Sequence, residues 1–124
     1  MKNLKLTLVS IFVFMGSAAQ AAGTLSSGPV FIFDQTTAVC HLTNIGSAPA
    51  RNVKMSIIDQ DGKTVASNNC GNLAVNGYCN AVANSLAVVP YSCKVTTADE
   101  GGTLRGNLDI RVSSQETKIV APLR

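Results

Sequence analysis

Apolar and polar residues alternate along most of the chain, and no window carries a convincing helical period. The clearest case is LRGNLDIRV, residues 104–112. Leu104, Leu108, Ile110 and Val112 share one face with Gly106, while Arg105, Asn107, Asp109 and Arg111 share the other. A strand that is dry on one side and wet on the other belongs to an antiparallel sheet with one solvated face. Residues 37–44 repeat the pattern, with Ala38, Cys40 and Leu42 opposed to Val39, His41 and Thr43. Residues 52–59 turn Val53, Met55 and Ile57 to one side, and Asp61-Gly62 then signals a hairpin that returns through residues 63–67. Residues 30–33, 78–83, 91–97 and 117–123 read as further strands. Residues 68–77, rich in Gly and Asn, read as a loop that holds Cys70. Seven or eight short strands spaced by about ten residues predict an all-β sandwich or small barrel.

The first residues follow a different rule. Lys2 and Lys5 precede an apolar run over residues 6–15, and Ala19-Gln20-Ala21 offers an A-x-A cleavage site. Residues 1–21 therefore read as a secretory signal peptide, with one domain over residues 22–124. The apolar run is shorter than the roughly 20 residues a bilayer span needs. The first cysteine is Cys40, too far from the cleavage site for a lipid anchor, so no membrane attachment is expected after cleavage. Without Lys2 and Lys5 the chain is nearly neutral, which gives no reason to expect nucleic acid as a partner. Cys40, Cys70, Cys79 and Cys93 all lie in the mature part. An even number in a small exported chain points to two disulfides and to a secreted or periplasmic protein. Structural zinc sites bring cysteines in pairs two to four residues apart. Cys70 and Cys79 are more widely spaced than that, and a C-x-x-C motif is absent. Neither metal nor cofactor is expected.

Four cysteines allow three pairings. Cys40 falls on the inward face of its strand, and Cys93 shares a face with Tyr91 and Val95. In an immunoglobulin-like sandwich, inward cysteines on strands B and F bridge the sheets, and a tyrosine two residues before the second one forms a corner. Tyr91-Ser92-Cys93 has that spacing, so the expected fold is an immunoglobulin-like antiparallel β-sandwich with Tyr91 in a structural role. The likeness implies Cys40–Cys93 and leaves Cys70–Cys79 to pin the Gly/Asn-rich loop. Loop-closure entropy would make these worth roughly 4 and roughly 2.7 kcal/mol. The chain has no tryptophan, so the match is to an architecture and not to antibody domains. Residues 44–65, NIGSAPARNVKMSIIDQDGKTV, resemble the bacterial CARDB-type domains, which are cell-adhesion-related and immunoglobulin-like. The matching positions are Asn44, Gly46, Ala48, Pro49, Val53, Met55, Ile57, Asp61 and Gly62, and LAVNG at 73–77 is similar to a later L-x-P-G element with Val75 replacing proline. The cysteine pairs and Tyr91 depart from that family's pattern. The resemblance implies an adhesion or interaction module, and it brings no catalytic residue.

His41 is the chain's one histidine, placed on an outward face and expected to be an ordinary surface residue. No G-x-S-x-G elbow accompanies it. Asp59-Gln60-Asp61-Gly62 begins like a calcium loop, but Lys63 and Cys70 occupy later ligand positions, and a hairpin accounts for the same residues. Asp99-Glu100-Gly101-Gly102 reads as a solvated turn. In an immunoglobulin order, strands C, F and G are neighbours. That order would unite Lys54, Ser56 and Ile58 with Ser92, Lys94 and Thr96 and with Arg105, Asn107, Asp109 and Arg111. The expected binding residues on this mildly basic face are Lys54, Lys94, Arg105 and Arg111, for an envelope or extracellular protein or an acidic polymer. An edge strand at residues 30–33 would offer strand addition as a second route. The expectation is a small exported non-catalytic interaction module. The alternatives are a secreted or periplasmic hydrolase and a carbohydrate-binding module, for which Tyr78 is the plausible exposed ring.

Overall fold

Eight strands form two antiparallel four-stranded sheets in a computed structural model that describes residues 23–31, 37–99, 101–111 and 117–124. The strands are β1 (Gly23–Ser26), β2 (Thr37–Asn44), β3 (Ala50–Asp59), β4 (Thr64–Leu73), β5 (Tyr78–Ala83), β6 (Tyr91–Thr97), β7 (Leu104–Arg111) and β8 (Thr117–Pro122). One sheet has the order β1-β6-β3-β4 and the other β5-β2-β7-β8. The expected signal peptide lies outside the described residues, as do residues 32–33 of the expected first strand and Val112.

Alternation in the sequence becomes burial in the sandwich. Ala38, Cys40 and Leu42 of β2, Val53, Met55 and Ile57 of β3, Cys93 and Val95 of β6, and Leu104, Leu108 and Ile110 of β7 are at most 1% exposed. Each larger side chain among them contributes about 1.5–3 kcal/mol when removed from water. Cys40–Cys93 runs through this core, with Cα atoms 6.1 Å apart, and joins an interior strand of each sheet. Beside it the hydroxyl of buried Tyr91 accepts a hydrogen bond from the Ala87 N–H at 3.1 Å.

Cys70–Cys79 does something other than pin a loop. Residues 68–73 belong to β4, so this bridge ties an edge strand of one sheet to an edge strand of the other. The pattern there is obscured by a bulge. Asn52 and Gly71 have φ of 51° and 63°, and the β3–β4 register shifts beside them. An extra residue breaks the period of two. The opposite side of the sandwich is also closed, because Ser26 and Arg124 exchange backbone hydrogen bonds of 3.0 and 3.1 Å. Val30, expected within an edge strand, forms one isolated bridge with Tyr91.

The strand order differs from the immunoglobulin order at both ends of the chain. β1 occupies the place beside β6 where strand G would lie, and β7 pairs with β2 instead. Gly106 permits that pairing, since a methyl group there would fall on the His41 carbonyl oxygen. Asn44 organises the nearby loops. It is fully buried, its amide donates to the Ala48 and Leu73 carbonyls at 2.9 and 3.0 Å, and its side-chain oxygen accepts the Gly46 N–H. The Asp59 carboxylate accepts the N–H groups of Asp61 and Lys63 in the β3–β4 hairpin, where Gly62 has φ of 81°. Gln60, Asp61 and Gly62 make the turn that joins the two strands of the hairpin.

Candidate functional site on the outer face of β5-β2-β7-β8

Strand register writes the outer face of this sheet as rows. Tyr78, Thr43 and Arg105 form one row, Asn80, His41, Asn107 and Pro122 the next, and Val82, Val39, Asp109 and Val120 a third. Adjacent strands lie about 4.8 Å apart, so a row of three spans about 10 Å.

At the centre of this face, His41 Nδ1 lies 2.6 Å from the Tyr78 hydroxyl and Nε2 lies 2.9 Å from Asp109 Oδ2. Arg111 Nη2 is 3.1 Å from the same carboxylate oxygen and 3.1 Å from Nε2. An ionised carboxylate only accepts, so Nε2 carries the proton and donates to Asp109. In the neutral ring Nδ1 then accepts from the Tyr78 O–H. Arg111 donates to Asp109, and its approach to Nε2 is a contact between two donors drawn to one oxygen. Asp109, Arg111 and His41 are sheltered, with side chains 13%, 22% and 24% exposed. Tyr78 stands out at 57%, its ring centroid 5.8 Å from that of His41. The histidine expected to be an ordinary surface residue is thus the hinge of a four-residue polar network, with both ring nitrogens taken.

A shallow depression of about 380 Å³ adjoins the network, lined by His41, Thr43, Arg105, Asn107, Pro122 and Leu123, with Gly106 among them. The side chains of Thr43 and Asn107 make no hydrogen bond with a described residue. Arg105 donates one nitrogen to the Gly102 and Leu104 carbonyls at 2.7 and 2.8 Å. That anchor leaves its Nε and second Nη for the depression or for solvent.

The four expected basic residues do not share a face. Lys54 and Lys94 lie with Ser56 and Thr96 on the outer side of the other sheet, whereas Arg105 and Arg111 lie here. The change of partner by β7 separates them, and Arg111 is further committed to Asp109. A second depression, of about 340 Å³, lies at one end of the sandwich between Ser47, Ala48, Pro49, Ala50, Asp99 and Thr103. There Arg51 grips Asp99 with its main-chain N–H at 2.7 Å and with side-chain nitrogens at 3.0 and 2.6 Å. The side-chain hydrogen bond from Arg51, then the backbone one, holds the Asp99 carboxyl below its usual value, and Asp99 raises Arg51 in turn. Sequence reasoning found neither this pair nor the His41 network. Alternation marks His41 and Asp109 as outward-facing, but only the β2–β7 pairing brings them together. No group of three or more His, Cys, Asp and Glu side chains arranged for a metal occurs among the described residues.

Two disulfides belong to an oxidising, non-cytoplasmic compartment. No helix among the described residues is long and apolar enough to cross a membrane. Neither a family model nor a curated protein matches the chain. A solved structure that does match is the crystal structure of FlgD from P. aeruginosa, at 12% identity and a TM-score of 0.35, covering 82% of this chain and 70% of that one. A likeness that slight carries no functional argument, and the CARDB-type resemblance finds no family match.

Proposed function

We propose that this protein is an exported, non-catalytic interaction module that docks an envelope or extracellular partner on the outer face of β5-β2-β7-β8. The observation that carries the reading is the combination of a hydrogen-bonded polar network with an adjoining depression where Thr43, Asn107 and the remaining Arg105 nitrogens make no side-chain hydrogen bond with a described residue. Polar groups gathered around a depression favour recognition of a polar ligand. The two disulfides suit a scaffold that must stay folded outside the cytoplasm.

The His41–Asp109 contact favours a second reading, a hydrolase using His41 as base. Both ring nitrogens are engaged, so accepting a substrate proton would first require breaking the contact with Tyr78. Recognition needs no such step.

Retention of the oxidised protein by sedimented cell-envelope material tests the proposal. Arg105→Glu combined with Asn107→Ala should lower retention at least tenfold, and Lys54→Glu combined with Lys94→Glu should leave it unchanged. The reverse result would transfer the docking surface to the other sheet. Hydrolysis of a substrate panel that disappears in His41→Ala would establish the enzyme instead.

A further inference from the structure

We infer that the partner of this face is a carboxylate-bearing polysaccharide, with Arg105 taking the carboxylate, Thr43 and Asn107 the hydroxyls, and the exposed Tyr78 ring one sugar face. The inference rests on the docking reading above and names its ligand class. Tyr78, Thr43 and Arg105 form one cross-strand row, so the strand positions that carry an aromatic ring and a guanidinium stand about 10 Å apart with a hydroxyl-bearing residue between them. A guanidinium pairs with a carboxylate through charge-assisted hydrogen bonds. An aromatic ring with a polar tip offers an apolar surface to the C–H face of a pyranose. Thr43 and Asn107 add hydroxyl and amide groups that lack partners among the described residues. This alternation of one charge, several neutral polar groups and one ring matches a uronic acid chain better than a peptide.

Two structural facts disfavour a peptide. The depression is shallow and offers no deep pocket to anchor a side chain. The sandwich is also seamed on both sides, by Cys70–Cys79 and by the Ser26–Arg124 hydrogen bonds, which obstructs strand addition. His41 gains a specific duty here. Its 2.6 Å contact with the Tyr78 hydroxyl fixes the ring over the face, and Asp109 with Arg111 fixes His41. His41 is a positioning residue, acting on the ligand through Tyr78.

Calorimetric titration of the oxidised protein tests this, with polygalacturonate, the same polymer after reduction of its carboxyl groups, and poly-L-glutamate as ligands. Polygalacturonate should bind, and the carboxyl-reduced polymer and polyglutamate should each bind at least tenfold more weakly. Arg105→Gln and Tyr78→Ala should each lose about tenfold, with melting temperatures close to that of the parent protein as the check on folding. His41→Ala should weaken binding severalfold in the parent background and not at all in Tyr78→Ala. Equal losses in both backgrounds would overturn the positioning role. Polyglutamate binding as tightly as polygalacturonate would overturn the saccharide assignment in favour of an acidic peptide. Absence of uronate binding, with envelope retention still dependent on Arg105, would overturn the saccharide and leave the docking face standing. Loss of both dependences would overturn both.

Discussion

Single residues carry more of this protein than its regular alternation suggests. Asn44 is the clearest, since its fully buried side chain serves two carbonyls and one N–H. Asn44→Ala should cost about 1–3 kcal/mol by leaving those groups unpaired. Asn44→Asp should be no better, because a carboxylate cannot donate; urea titration of both variants checks this. Gly106 matters for the opposite reason, that anything larger meets the His41 backbone. Gly106→Ala should destabilise by about 1–3 kcal/mol, the usual cost of overpacking, as read from the shift in denaturation midpoint. Asp99 gives a pH signature. Its folded-state carboxyl is held below the ordinary value, chiefly by the Arg51 side-chain hydrogen bond. The stability it contributes is therefore present above the unfolded carboxylate pKa of about 3.9 and is lost as pH falls through the lower folded value. Melting curves of the parent and Asp99→Asn should separate near neutrality and converge in acid.

At the scale of elements, β7 decides what the molecule can present. Its inward residues would suit either sheet, because Leu104, Leu108 and Ile110 need only a core to face. Its pairing with β2 is what places Asp109 beside His41 and Arg105 beside Thr43. The edge strands β4 and β5 are governed by Cys70–Cys79, which closes the sandwich where neither strand has a further hydrogen-bonded neighbour. Replacing both cysteines with serine should lower stability by roughly 2.7 kcal/mol, against roughly 4 for Cys40 and Cys93 together. The edge variant should also self-associate at high concentration, since unprotected edges pair with one another. Thermal melts and sedimentation velocity would reveal both effects.

Across the whole molecule, protection should follow strand position. Amides of the interior strands β2, β3, β6 and β7 should exchange slowest, and those of β1 and β8 first, in native-state hydrogen exchange. The sequence by itself determined the class of fold, because a period of two forces one dry face per strand, and the inward phase of Cys40, Met55, Cys93 and Ile110 reads directly from it. It also marked the Asp61-Gly62 hairpin, whose turn chemistry is local. It misjudged residues 68–73, where a bulge hides the strand, and it gave no reading of residues 23–26, too short to show a pattern. Tertiary structure alone decided which strands are neighbours. Alternation is indifferent to sheet order, so Lys54 and Lys94 parted from Arg105 and Arg111, while His41, Tyr78, Asp109 and Arg111 met. Burial is encoded residue by residue, whereas a site of this kind is encoded by pairing between distant strands.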